Sequence, residues 1–273
     1  MFEIHIDPVA FTITGRPVSW YGLIYVLAAL VVLAWGLRER RRVAGLSSRL
    51  VLNMGLIALF CGLVVSKFFH VIEQWDYFIE HPEQFLDPAG LTIMGAILGA
   101  ALGIGIYSRL NGLPFRQVFD VAVPGLILAQ AIGRAGCAIN GCCYGIPTSL
   151  PWGVIYTHPG SAGYGASLNL PPGMGLHPTQ IYAVIYDLIV FAVLFKLRGR
   201  LQPDGSLTLL YAILYSAWRL GSDFLRVGSP FVANLHQAQF LSIIILAIAL
   251  PLLIYSRIRR VKVDDKAGQT SEA

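Results

Sequence analysis

The chain has 273 residues, 56% of them hydrophobic and only 13% charged, with a mean hydropathy of +0.65. Soluble domains carry about 25% charged residues, so a water-soluble globular protein is excluded and an integral membrane protein is expected. The net charge of +5 and pI near 9.1 come from an orientation signal set out below, so they are not read as nucleic-acid binding.

At the N-terminus, Phe2, Ile4 and Ile6, then Phe11 and Ile13, alternate with polar residues, which suits a short structure lying at the outer surface. These residues are neither basic nor continuously apolar, so no cleavable signal peptide is expected. A helix needs about 20 apolar residues to cross a hydrocarbon core of roughly 30 Å. Runs of that kind predict an all-α integral membrane protein of about seven transmembrane helices, near 18–37, 50–72, 91–108, 118–135, 179–197, 206–225 and 238–256. One transmembrane domain over 1–273 is expected, without an internal repeat. The segment 146–178 is rich in Gly and Pro and has no helical period, so it reads as a long irregular outer loop, and loops of that length usually have a function.

Fifteen of the twenty Lys and Arg fall on alternate connections: Arg38, Arg40, Arg41, Arg42 and Arg49; Arg109 and Arg116; Lys196, Arg198 and Arg200; Arg257, Arg259, Arg260, Lys262 and Lys266. The second connection is acidic, with Glu73, Asp76, Glu80, Glu83 and Asp87, and no Lys or Arg occurs from Ala135 through Phe195. The positive-inside rule therefore puts the N-terminus outside and the C-terminus in the cytoplasm.

In the third span Gly95, Gly99 and Gly103 recur every four residues and line one helix face, where they permit close backbone approach by a neighbour. The segment Gly133 to Gly145, GRAGCAINGCCYG, is the most informative. It sets Arg134, Asn140 and three cysteines at the outer end of a hydrophobic span, and an ionisable residue there is a functional-site candidate. Arg219 and Asp223 lie one turn apart in the sixth span, with Tyr215 one turn before them. The pair reads either as a mutually satisfied ion pair or as part of a site for an anionic headgroup, since a guanidinium fork suits phosphate. Lys67 and Arg226 lie near outer helix ends, where snorkelling to the headgroups is the simplest reading. Cys61 is mid-span packing. Cys137 with Cys142 or Cys143 can form a bridge in an oxidising compartment. Zinc is the weaker idea, for no C-x-x-C pair occurs and His158 has no partner at ligand spacing, and no metal or other cofactor is expected.

Taken together, WYG at Trp20 to Gly22, the glycine-rich third span, GRxGxxING at Gly133 to Gly141, HPTQIY at His177 to Tyr182 and R-x-x-x-D-F-x-R from Arg219 to Arg226 resemble the bacterial prolipoprotein diacylglyceryl transferases over most of the chain. The resemblance implies a multi-pass enzyme of the bacterial inner membrane, active toward its outer face. Such an enzyme moves the diacylglyceryl group of phosphatidylglycerol to the lipobox cysteine thiol of a preprolipoprotein signal segment and releases glycerol phosphate. It implies Arg134 on the phosphatidylglycerol headgroup, with Arg219, and Tyr21, Asn140 and Tyr215 at the same site; His177 and Asp223 are the further candidates there. Thiolate attack on the glyceryl carbon builds charge on the departing phosphate, which fixed guanidiniums stabilise.

The chain departs from that pattern at three places. Met94 stands where the family has a histidine, Cys137 replaces an asparagine, and Cys142 replaces an acidic residue. Methionine cannot act as a base, so His177, His70 and Asp223 are the remaining titratable candidates. HPTQ is family-like, while a cap of the fifth helix or a brace for the loop also accounts for His177. Two rival readings stay open: a divergent relative with another acceptor, and a non-catalytic membrane protein that binds anionic lipid.

Overall fold

The computed structural model describes residues 1–81, 84, 92–228, 231–232 and 234–271. Glu83 and Asp87 of the acidic connection, Leu91 at the start of the third predicted span, and the side chains of Arg260, Lys262 and Lys266 lie outside the described residues.

Helices dominate: α1 (Trp20–Glu39), α2 (Ser48–Glu73), α3 (Trp75–Glu80), α4 (Ile93–Leu110), α5 (Phe115–Asn140), α6 (Tyr164–Leu168), α7 (Thr179–Leu197), α8 (Ser206–Ser222) and α9 (Gln237–Ser271). Five of them are long and apolar enough to cross a membrane, in α1, α2, α5, α7 and α9. At a rise of about 1.5 Å per residue, α4 and α8 are the short members of the set. Large apolar side chains stay on the outside, Leu56, Phe60, Leu102, Ile189, Ile248 and Leu252 among them. A water-soluble chain would bury such residues; hydrocarbon accepts them at no cost.

The long apolar segments are helical, and the β-structure beside them is small: a hairpin of β2 (Val9–Ile13) with β3 (Arg16–Ser19) and a four-stranded sheet. One correction follows, for 146–178 is not irregular. It supplies β4 (Pro147–Thr148), β5 (Val154–Tyr156), α6 and β6 (Gly175–Leu176), and β1 (Phe2–Ile4) joins the sheet parallel to β5 in the order β1-β5-β6-β4. Strands of two or three residues are too short to leave a period-2 signature, and this sheet is held by a partner some 150 residues away in sequence.

The chain clusters into two compact units, Leu33–Val121 and Met1–Val32 with Ala122–Ala273. In the first, α2 and α4 pack backbone to backbone. A Cβ added at Gly99 would lie 2.2 Å from the Cys61 carbonyl oxygen, and one at Gly95 would lie 2.7 Å from both Ser66 Cα and the Val65 carbonyl oxygen. The glycine row is thus a packing device, and Cys61 is part of the surface it packs on. Ser66 Oγ donates to Thr92 O at 2.6 Å, giving the start of α4 a hydrogen bond inside an apolar setting. Val43, Leu46, Val51, Met54, Leu113 and Val118 form the core of this unit.

In the second unit Val123 and Ile127 of α5, Val190 and Leu194 of α7 and Leu207 of α8 form one core. The small sheet has its own, built from Val154, Tyr156 and Leu176. Tyr156 is 1% exposed; burial pushes its hydroxyl pKa up from 10.0 to about 12, partly offset by the bond from Gln180. The backbone of Gly145 and Ile146 ties the sheet to the ends of α7 and α8: Gly145 N donates to His177 O (2.9 Å) and Ile146 N to Leu225 O (2.9 Å). Only glycine fits here, because a Cβ at Gly145 would meet Leu225 O at 2.3 Å.

Candidate active site

A small cleft opens in the second unit, lined by Arg134 of α5, Thr179, Ala183 and Asp187 of α7, Tyr215, Trp218, Arg219 and Ser222 of α8, and Arg226 just beyond it. The helical period explains the α8 contribution, since residues 215, 219 and 222 fall on one face. Trp218 is fixed by stacking on Tyr186, with centroids 4.4 Å apart. Tyr215 lies within electrostatic reach of both Arg134 and Arg219.

Asp223 is the hub of the positive side. It is 4% exposed, and its Oδ1 accepts from Arg219 at 2.9 Å and lies 4.0 Å from Arg226 Nε, while its Oδ2 is 2.9 Å from His236 Nδ1. The ion pair expected from the four-residue spacing therefore exists, and Arg219 lines the cleft as well. The ion pair thus holds the Arg219 guanidinium at the wall of the cleft.

Arg134, Tyr215 and Arg219, three of the residues singled out in sequence, come together in the cleft. Tyr21 donates to Tyr25 Oη at 3.1 Å and lies within electrostatic reach of Cys137 and Cys142. Asn140 ends α5; its carbonyl accepts from Ala162 N at 3.0 Å, and its side chain interacts with Cys142. His177 is not among the residues lining the cleft. Its Nδ1 lies 3.2 Å from Tyr182 Oη, which accepts from Trp152 Nε1 at 2.7 Å. Burial holds its pKa below the ordinary value of 6.5, so the ring is neutral at pH 7. His70 belongs to the other unit, edge-on to Phe78. Cys137, Cys142 and Cys143 are all free, so neither bridge weighed from the sequence is formed.

Asp187 is the residue that sequence reasoning passed over. It is 2% exposed, and its Oδ1 has no hydrogen-bond partner among the described residues. The signal was there, because an acidic residue in the middle of an apolar helix is a functional candidate by default. Arg226 was noticed as an outer helix-end residue, but its place in the cleft follows from the turn after α8, which no spacing rule reveals.

Fold and cleft define a multi-pass membrane protein with clustered guanidiniums at a buried cleft. The sequence model of the family described as prolipoprotein diacylglyceryl transferase matches residues 8–255. A phosphatidylglycerol--prolipoprotein diacylglyceryl transferase of Dehalococcoides mccartyi is 44% identical over 97% of this chain and 99% of its own. Proteins of the same name from Chloroflexus aggregans (34% identical, 98% of this chain and 97% of that one) and Clostridioides difficile (32%, 87% and 90%) are also similar. The chain belongs to the prolipoprotein diacylglyceryl transferase family.

Proposed function

We propose that this protein transfers the diacylglyceryl group of phosphatidylglycerol to the lipobox cysteine thiol of a preprolipoprotein, forming a thioether and releasing glycerol phosphate. The observation that carries this reading is the set of three guanidiniums, Arg134, Arg219 and Arg226, on one cleft among apolar helices. Asp223 is already engaged by Arg219 and His236, so positive charge is left for an anion. A phosphodiester at headgroup depth has that charge, and guanidinium forks match its geometry.

In the reaction the acceptor sulfur forms a bond to the glyceryl carbon as the carbon–oxygen bond to phosphate breaks. The leaving electron pair stays on the phosphate oxygen, where preorganised donors act in a low dielectric. Arg134 and Arg219 take that charge, and the Tyr215 hydroxyl offers a further donor beside both. Tyr21 and Asn140, beside the cysteines, stand on the side of the acceptor. Asp223 acts by holding Arg219, and His177 supports the start of α7 through Tyr182. Because both substrates are partly embedded in lipid, access is lateral.

On this reading the chain works as one transmembrane domain of the bacterial inner membrane, with α1, α2, α4, α5, α7, α8 and α9 crossing it. The fifteen basic residues on alternate connections support an outer N-terminus, a cytoplasmic C-terminus and a cleft toward the outer face. The test is a transfer assay with purified protein, phosphatidylglycerol and a lipobox peptide, read by mass spectrometry. A diacylglyceryl adduct on the peptide cysteine is expected; its absence with folded protein would reject the assignment.

A further inference from the structure

Beside the arginine cleft, and not among its lining residues, the Sγ atoms of Cys137, Cys142 and Cys143 lie within 4.8 Å of one another, unbridged. The backbone builds this triad deliberately. After α5, Gly141 takes φ +73° and turns the chain. Cys142 N then donates to Cys137 O at 3.1 Å, with the Cys142 thiol 3.8 Å from the same oxygen. Cys143 adopts φ +62°, a left-handed conformation that costs a non-glycine residue on the order of 1–3 kcal/mol and persists only where the surroundings enforce it. Two side chains of α7 do so: Thr179 Oγ1 donates to Cys143 O and Gln180 Nε2 to Cys142 O, both at 2.7 Å.

We propose that the three thiolates bind one zinc ion and leave its fourth position for the acceptor thiol; the role of that position rests on the transferase reading above. Zinc–sulfur bonds of about 2.3 Å set the sulfurs of such a site roughly 3.8–4.0 Å apart, so a contraction of less than about 1 Å from the outer limit of the present spread suffices. Three thiolates select a soft or borderline d10 cation over magnesium or calcium, and three protein ligands with an open fourth position are the pattern of catalytic zinc. The linear spacing argues against zinc because it lacks a C-x-x-C pair; the turn at Gly141 brings the sulfurs together in space instead.

The site supplies what Met94 cannot. The acceptor thiol loses its proton to water on coordination. Its sulfur lone pair then attacks the glyceryl carbon, and the carbon–oxygen pair departs with the phosphate. The thioether product is neutral and a poor zinc ligand, so it leaves. Three thiolates and one divalent cation carry a net negative charge, which Arg134, within electrostatic reach of Cys137 and Cys143, offsets.

The full chain in detergent under reducing conditions, equilibrated with Zn²⁺ and passed through a desalting column, is expected to retain one zinc per protein. Cys142→Ser and Cys143→Ser should each lose it, and Cys61→Ser should keep it. Co²⁺ in its place should give thiolate charge-transfer absorption that shifts on adding a lipobox peptide but not its Cys→Ser analogue. No retained metal from folded protein whose three thiols all alkylate overturns the proposal, as does a disulfide within the triad that persists in the active protein. A spectrum indifferent to the peptide overturns the open fourth position. Undiminished transfer by metal-free protein sinks the zinc role and leaves the transferase intact, whereas stoichiometric zinc without any transfer sinks the transferase reading and leaves the metal site.

Discussion

Asp223→Ala removes the one carboxylate that Arg219 and His236 both contact at 2.9 Å, in a position only 4% exposed. Stranding a buried charge by deleting its partner costs about 3–5 kcal/mol. The Arg219 side chain is 15% exposed and that of His236 24%, so both relax in part toward water and the lower end, about 3 kcal/mol, is expected. At about 1.4 kcal/mol per decade that is roughly a hundredfold shift in the unfolding equilibrium. The assay is reversible unfolding in mixed micelles, followed by tryptophan fluorescence and repeated with phosphatidylcholine or phosphatidylglycerol as the added lipid. If the freed guanidiniums face an anion site, phosphatidylglycerol restores part of the loss in the variant. A penalty under about 0.5 kcal/mol, the level of an ordinary surface substitution, would refute the account of Asp223 as the hub; an equal penalty in both lipids would refute the link between hub and anion site.

Arg134→Ala should lower the transfer rate by about 10²–10³, the usual effect of deleting one charge-stabilising donor, with Arg134→Lys intermediate because it keeps charge without the fork; the peptide adduct assay reads both. Gly99→Ala places a Cβ 2.2 Å from the Cys61 carbonyl oxygen and should destabilise the α2–α4 pair by about 1–3 kcal/mol, while Gly165→Ala, with nothing within 4 Å, serves as the neutral control in thermal unfolding. Tyr156, with its pKa raised to about 12 by burial, makes the fold pH-sensitive on the alkaline side. The unfolded hydroxyl ionises near 10 and the folded one resists, so stability is full below pH 10 and falls by about 3 kcal/mol as pH climbs toward 12. Tyr156→Phe should flatten that slope in a pH series of unfolding midpoints.

Hydrophobic runs and the charges between them determined a great deal. All seven predicted spans contain a helix, because a long apolar segment in lipid must satisfy its own backbone hydrogen bonds, and that demand is local. The glycines of α4 were legible as a packing face for the same reason: a four-residue period is a property of one helix. Arg134, Tyr215 and Arg219 were legible because charge and hydroxyl in an apolar stretch stand out from their neighbours.

What the sequence could not decide depends on residues far apart in it. The sheet order β1-β5-β6-β4 rests on strands of two or three residues, each too short to announce its partner. Arg219 and Asp223 announced themselves as a pair, but His236 reaches Asp223 only through the turn after α8, and Asp187 meets the arginines only because α7 packs on α5 and α8. The cysteines make the point most sharply. Their linear spacing makes zinc the weaker idea, while a left-handed turn at Gly141 and two hydrogen bonds from α7 set three sulfurs within 4.8 Å. By itself the sequence determined which segments are helical and which of them carry charge, since those follow from local burial and hydrogen bonding; which side chains share a cleft was decided only when long-range packing closed it.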